Sequence, residues 1–398
     1  MSDIAHLNAP TLAPLSHLGD LSVAEFIAEY WQKKPVCIRN GIAFKEALIA
    51  VDELAGLALE PEVESRLIEN QGDLKDWQVT HGPLTEDDFN KERDFPWTLL
   101  VQGVDCFVPQ IHDFLAKFRF LPSWRLDDVM ISYATKGAGV GAHYDRYDVF
   151  LIQAEGQRQW QIGQVCNENS ALMAHDQLCL LQDFELCEEF ILNPGDILYI
   201  PPLLAHKGVA ISDACVTYSV GFRSPSHADV LASFADERSV NISADLRLKD
   251  HGFTPNSGEI SAVDIATLMQ LMQAQITPEN VAQWFGKHST EAKYPALDLS
   301  EEAMDQAELE GIIKDAYGVL RVSEGVRLAY TWQGDGGLTL FVQGDALPCP
   351  PDATAFIEAI ANQWVLGVDD MGPLLAHDAA KAILLILHNQ GYLYFADE

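Results

Sequence analysis

The chain has 398 residues, with 25 Lys and Arg against 59 Asp and Glu, for a formal net charge of −34. Hydrophobic residues make up 48% and charged residues 21%, a globular composition that excludes wholesale disorder, and the length implies two or three domains. The charge argues against nucleic-acid binding and allows a basic partner; residues 1–224 and 225–398 each carry −17, so it belongs to the whole surface and not to an acidic tail.

Residues 1–6 lack the basic stretch and apolar core of a signal peptide, and the apolar runs, such as 382–387, fall far short of the ~20 residues of a membrane helix. Seven Cys, at 37, 106, 166, 179, 187, 215 and 349, form no C-x-x-C pair. This reads as a reduced cytoplasmic protein with scattered, mostly buried thiols and no cysteine zinc site.

Residues 22–31 carry Val23, Phe26, Ile27 and Tyr30 at helical spacing behind a Ser22 N-cap. A strand is expected over 35–39, a helix over 44–59, a strand over 98–101 and a short helix over 112–118. From 126 to 223 short strands dominate. The strand 129–134 precedes a glycine-rich loop at 137–141. Segments 149–153 and 159–162 read as a hairpin across Ala154-Glu155-Gly156-Gln157. Segments 190–192 and 197–200 flank the turn Asn193-Pro194-Gly195-Asp196, and 215–222 is a last strand. Many short strands between Gly/Pro turns imply a sandwich or jelly roll. Beyond 225 helices are expected at 228–239, 261–274 and 278–285, then a linker at 288–299 and an acidic helix at 301–317. A hairpin over 327–332 and 338–343, helices at 353–364 and 378–388 and a strand at 392–395 resemble a winged-helix arrangement.

The chemistry-bearing residues are His143 and Asp145, in Gly141-Ala142-His143-Tyr144-Asp145, and His206, in Pro201-Pro202-Leu203-Leu204-Ala205-His206. On an extended chain residues i and i+2 point the same way, so His143 and Asp145 can grip one metal from one strand end. His206 arrives strands later, behind the turn-opened segment 194–201. Two His and one carboxylate are the facial triad of non-haem Fe(II) oxygenases, with three coordination positions left free. An H-x-D pair alone is a weak signal; the glycine-rich loop before it and the strand after it strengthen it. His112-Asp113 and His175-Asp176 lack such framing and are read as solvated. Arg158 shares a strand face with Trp160, and a cation pointing into a barrel needs an anionic partner, such as a dicarboxylate cosubstrate. Tyr144, Tyr147 and Asp148 are open between substrate contacts and core.

The H-x-D…H triad, the segment 195–202 and the stretch 156–160 resemble a cupin-type JmjC oxygenase. More narrowly, segments 96–102, 124–130, 147–150 and 218–223 are similar to the bacterial ribosomal oxygenases. The resemblance implies a mixed α and β fold, with a double-stranded β-helix (jelly-roll, cupin JmjC) core, a helical dimerisation region and a C-terminal winged helix. The corresponding parts are 1–224 (core about 96–223), 225–290 and 291–398. It implies Fe(II), 2-oxoglutarate and O₂, and hydroxylation at Cβ of an arginine in large-subunit ribosomal protein sixteen. His143, Asp145 and His206 carry over as metal ligands, Arg158 as the cosubstrate anchor and Ser132 as a weaker cosubstrate contact. Arg158 departs from the lysine of many JmjC proteins but suits the bacterial branch. Thr217 is left unassigned. A homodimer in the cytoplasm, without direct DNA or membrane binding, is expected. Demethylation of methyl-lysine or methyl-arginine, and a non-catalytic metal-binding cupin, stay open as alternatives.

Overall fold

The computed structural model describes residues 12–44, 47–70, 77–249, 256–294, 303–315 and 317–397. One sheet has eight strands, in spatial order Val36–Ile38, Ile197–Ile200, Val149–Glu155, Cys215–Phe222, Leu126–Ala134, Trp97–Val101, Ser65–Asn70 and Trp77–His81. A three-stranded sheet of Glu188–Leu192, Arg158–Val165 and Leu204–Ala210 faces it. Val149, Leu151, Leu198 and Ile200 of the first sheet pack on Trp160, Ile162, Leu192 and Leu204 of the second. Cys215–Phe222 lies mid-sheet and is buried along its whole length, which its run of apolar and small polar residues permits. The outer face of the large sheet is sealed by aromatics: the Phe26 ring stands 4.9 Å from Tyr199 and 5.2 Å from Phe150. The jelly roll expected from the sequence is therefore present.

The hairpin expected between 149–153 and 159–162 does not form, and the two strands that flank the turn at 193–196 do not pair with each other either. Val149–Glu155 pairs with Ile197–Ile200 and Cys215–Phe222, whereas Arg158–Val165 pairs with Glu188–Leu192 and Leu204–Ala210. The turn at Gly156 carries the chain from one sheet to the other, and Asn193–Asp196 carries it back. Gly156 has φ +66°, and a Cβ there would stand 1.9 Å from the Ala214 carbonyl oxygen. Turn residues encode a reversal; they do not encode whether its two arms pair.

Other expectations are also corrected. The helix expected over 44–59 is helical only at Val51–Leu57, with residues 45–46 outside the described residues. The Leu48 amide donates to the buried Tyr218 hydroxyl at 3.1 Å, a tertiary bond that competes with a helical one. The expected linker at 288–299 begins inside the Pro278–Thr290 helix and continues into Lys293, paired with Asp128 of the Leu126–Ala134 strand, and Tyr294, packed on Gly103; residues 295–299 lie outside the described residues. His112 is buried, its ring stacked 4.8 Å from that of Trp364, and Asp113 pairs with Arg321. His175 is half-buried and its Nδ1 accepts from the amides of Gln177 and Leu178 at 3.1 and 3.0 Å. Asp148 is core: it is fully buried and accepts from Tyr199 at 2.6 Å and Arg125 at 2.9 Å. All seven cysteines are free, and Cys179 and Cys187 are exposed where mostly buried thiols were expected.

The remaining chain adds the helices His227–Val240, Ala262–Gln273 and Pro278–Thr290, then helices and two three-stranded sheets. The Leu328–Trp332 and Leu338–Val342 strands pair as expected, and Asp345–Cys349 extends them. No helix among the described residues is long and apolar enough to cross a membrane.

Burial, followed by the nearby Arg321 and Arg119 charges, pushes the His112 pKa from 6.5 down to about 3. The unfolded chain binds a proton below pH ~6.5 that the folded chain refuses, so stability is lost as the pH is lowered through this window, by up to about 1.4 kcal/mol per pH unit from this group. In denaturant titrations between pH 7 and pH 4, His112→Phe should lose stability less steeply than the native protein, as the ring stack survives without the titration. Equal slopes would contradict this assignment.

Candidate active site

The site is assembled where the glycine-rich loop meets the Leu204–Ala210 strand. The His143 amide donates to the His206 carbonyl at 3.0 Å, and the His206 amide returns a bond to the His143 carbonyl at 2.8 Å. Leu203 donates its amide to the Asp145 carbonyl at 2.7 Å. This close approach depends on glycine: a Cβ at Gly139 would stand 2.2 Å from the Gly208 carbonyl oxygen. Gly141 has φ +84°, and a Cβ there would meet Leu180 at 2.7 Å.

One ligand atom from each of His143, Asp145 and His206 lies within 4.8 Å of the others. The imidazole centroids are 4.3 Å apart, and His206 Nε2 is 3.5 Å from the Asp145 carboxylate. Nδ1 of His143 lies 3.1 Å from the Gly141 carbonyl, and Nδ1 of His206 lies 3.0 Å from the Leu204 carbonyl. A carbonyl only accepts, so each Nδ1 carries the proton and each Nε2 keeps a free lone pair. Burial, then the neighbouring His143, pushes the His206 pKa from 6.5 down to about 4. His206 is thus the neutral base that a metal requires. The donor set fits one divalent ion.

The triad opens on a cavity of about 480 Å³ between the sheets. Arg158 lines it from the small sheet, only 2% exposed. Its Nε reaches Cys215 Sγ at 3.4 Å, its Nη2 is buried without a hydrogen-bond partner, and no carboxylate pairs with it among the described residues. Such a group is costly unless an anion joins it, so the cavity fits a small carboxylate ligand. Ser132 lines the wall, its hydroxyl 3.5 Å from the Thr217 carbonyl. Thr217, unassigned from sequence, lines it too and donates to Gln153 at 3.1 Å.

A model of the JmjC domain matches residues 113–230, and a model of the ROXA-like winged helix matches residues 267–394. The chain is 34% identical over 380 residues to the ribosomal protein uL16 3-hydroxylase of Escherichia coli, covering 94% of this chain and 98% of that one. The chain belongs to the ribosomal oxygenase family. Among solved structures, E. coli ycfD superposes with a TM-score of 0.85 at 32% identity, over 96% of this chain and 100% of that chain. The E. coli ribosomal oxygenase in complex with cobalt and 2-oxoglutarate superposes with a TM-score of 0.79 at 31% identity, over 95% and 99%.

In this ribosomal oxygenase the sequence points to Ser132, Tyr144 and Tyr147 around the cavity but not to Asp127, Asp128 or Met130. Asp128, Met130 and Ser132 alternate into the cavity from one strand, joined by Asp127, Tyr144 and Tyr147. The period-2 signal was present: once Ser132 faces the cavity, Asp128 must as well. Oδ2 of Asp128 accepts from Gln102 at 2.6 Å, the Gly103 amide at 3.1 Å and Lys293 at 2.9 Å. Behind it, burial and then the Asp128 charge push the Asp105 carboxyl up to about 7.

Cobalt(II) titrated into the native protein should give one-site binding by calorimetry and raise the melting temperature. His206→Ala should bind at least about tenfold more weakly, having lost one of three donors. Undiminished binding would show that the donors do not act together.

Proposed function

We propose that this ribosomal oxygenase is an Fe(II)- and 2-oxoglutarate-dependent dioxygenase acting in the cytoplasm. Its reaction is hydroxylation at Cβ of an arginine side chain in a basic ribosomal protein, large-subunit protein uL16. The observation that carries this reading is a single cavity holding both a two-histidine, one-carboxylate cluster and a buried guanidinium without an anion. The names of the E. coli relatives support the substrate and the cosubstrate.

In this reading His143 Nε2, Asp145 and His206 Nε2 hold the metal, each imidazole oriented by its Nδ1–carbonyl bond. Arg158 takes the far carboxylate of 2-oxoglutarate from the small sheet, with Ser132 and Thr217 lining the cavity from the facing large sheet. When bound, Fe(II) with O₂ and 2-oxoglutarate supplies the oxidising power for C–H hydroxylation, with release of succinate and CO₂. The apolar walls, Leu151, Leu180 and Trp160 among them, exclude bulk water from the reacting carbon. Asp128 has Oδ2 fully engaged and Oδ1 available, and so accepts the substrate guanidinium. The whole-surface charge of −34 favours encounter with a basic protein.

The parts 1–224, 225–290 and 291–398 serve as catalytic domain, dimerisation region and winged helix. The last carries few cations and serves packing and docking without DNA contact. In the Ala262–Gln273 helix no residue is buried, and Val263, Ile265, Leu268, Met269, Leu271 and Met272 are all exposed. This apolar surface suits a second copy of the chain.

Incubation with Fe(II), 2-oxoglutarate and uL16 should leave one oxygen on an arginine, seen by tandem mass spectrometry. Release of formaldehyde would indicate demethylation, and bound cofactors without any product a non-catalytic module. His143→Ala should give no product. Arg158→Ala should raise the 2-oxoglutarate KM about tenfold or more, one charge-assisted pair being lost. An unchanged KM would contradict the anchor role.

The native protein should show twice the 44.0 kDa chain mass by light scattering. Leu268→Glu with Met272→Glu should reduce it to one chain. A native mass of one chain would contradict the dimer.

A further inference from the structure

The cavity wall that receives the substrate side chain is not completed by the catalytic strands alone. Asp127 and Asp128 lie at the start of Leu126–Ala134, and three cations from later in the chain converge on them. Arg223 Nε lies 3.4 Å from Asp127 Oδ1, and Arg327 Nη2 lies 3.3 Å from the same oxygen and 3.0 Å from the Asp127 carbonyl. Lys293 Nζ lies 3.0 Å from Asp127 Oδ2 and, alone of the three, also reaches Asp128, 2.9 Å from Oδ2.

Lys293 approaches from outside the active-site cavity. It lines a second cavity, of about 420 Å³, which shares Asp127 and Tyr147 with the first. Oδ1 of Asp128 is turned toward Gly221, a residue of the active-site wall, where an added Cβ would stand 3.5 Å away. Asp128 is 3% exposed and has Asp105 and Asp127 for neighbours. A buried carboxylate among others needs a cation to stay charged. Arg223 and Arg327 are committed to Asp127, which leaves Lys293. Burial disfavours the Lys293 charge, yet Asp128 and Asp127 hold its pKa above the usual lysine range.

We propose that Lys293 is a positioning residue for substrate recognition: by fixing Oδ2 of Asp128 it keeps that carboxylate charged, with Oδ1 presented to the target guanidinium. The proposal rests on the reaction and the Asp128 role given above. It makes the segment after the Pro278–Thr290 helix a determinant of affinity for the protein substrate, without contact to the metal ligands, the cosubstrate anchor or the reacting carbon.

The test compares the full-length, Fe(II)-loaded native enzyme with Lys293→Met, Lys293→Gln and Lys293→Arg, on a uL16 peptide containing the target arginine. Two neutral variants expose a packing defect peculiar to one. Each neutral variant should raise the peptide KM about tenfold, with kcat at saturating peptide and the 2-oxoglutarate KM within about twofold of native. Lys293→Arg should recover most of the peptide affinity. An unchanged peptide KM in both neutral variants would overturn the proposal, as would kcat and 2-oxoglutarate KM worsening in step with it, or an arginine variant as impaired as the neutral ones. No hydroxylation by the native enzyme would overturn the functional reading itself; native hydroxylation with any of these results overturns the proposal alone.

Discussion

Two backbone hydrogen bonds between His143 and His206 set everything else at the site. They join the glycine-rich loop to a strand of the opposite sheet, and they bring the two imidazoles within 4.3 Å of each other. Each ring is then turned by its own Nδ1 bond to a nearby carbonyl, which settles the tautomer and the direction of Nε2. Asp145, two residues on, is drawn into the same corner by its carbonyl bond from Leu203. Gly139 is there because any side chain would hold the two segments apart, and Gly141 because its φ is positive and a side chain would strike Leu180 and Trp77. Geometry of this kind is rigid because it is made of main chain, and a facial metal site needs that rigidity.

The interior that this bridge closes is electrostatically costly. Arg158 is buried without an anion, Asp128 is nearly as buried, and Asp105 lies behind it with a raised pKa. A well-packed apolar core would be more stable. The aromatic cluster on the outer face of the large sheet, built on Phe26, Trp31, Phe150 and Tyr199, offsets that cost. The later part of the chain adds a second compensation. Lys293 and Arg327 tie it to Asp127, Arg321 ties it to Asp113, and Trp364 stacks on His112. These contacts make the winged-helix portion part of the framework of the site.

The legibility of the sequence followed the range of the physics. The triad, Arg158 and the strand character of residues 126–223 could be read because they depend on short-range patterns: H-x-D spacing, alternation and glycine punctuation. The pairing of 149–153 could not, because Gly156 encodes a reversal while the partner of each arm is chosen by the sheet that it joins. His112 was misread as solvated because the surface that buries it, Trp364, lies far along the chain. The helix expected over 44–59 shrank because a tertiary bond to Tyr218 outcompeted a local one. Lys293 was hidden inside an apparent linker, since only the fold brings it to Asp128. Asp128 itself was within reach, two residues at a time from Ser132, and shows that alternation is worth following to the end of a strand.

The central claim is that His143, Asp145, His206 and Arg158 form one centre that holds a metal and a dicarboxylate together. A crystal structure of the native protein grown with cobalt(II) and 2-oxoglutarate tests it most directly, through anomalous scattering at the cobalt edge. The expected result is one anomalous peak within bonding distance of the three protein ligands, and the far carboxylate of 2-oxoglutarate paired with the Arg158 guanidinium. A peak elsewhere, or 2-oxoglutarate bound away from Arg158, would contradict it.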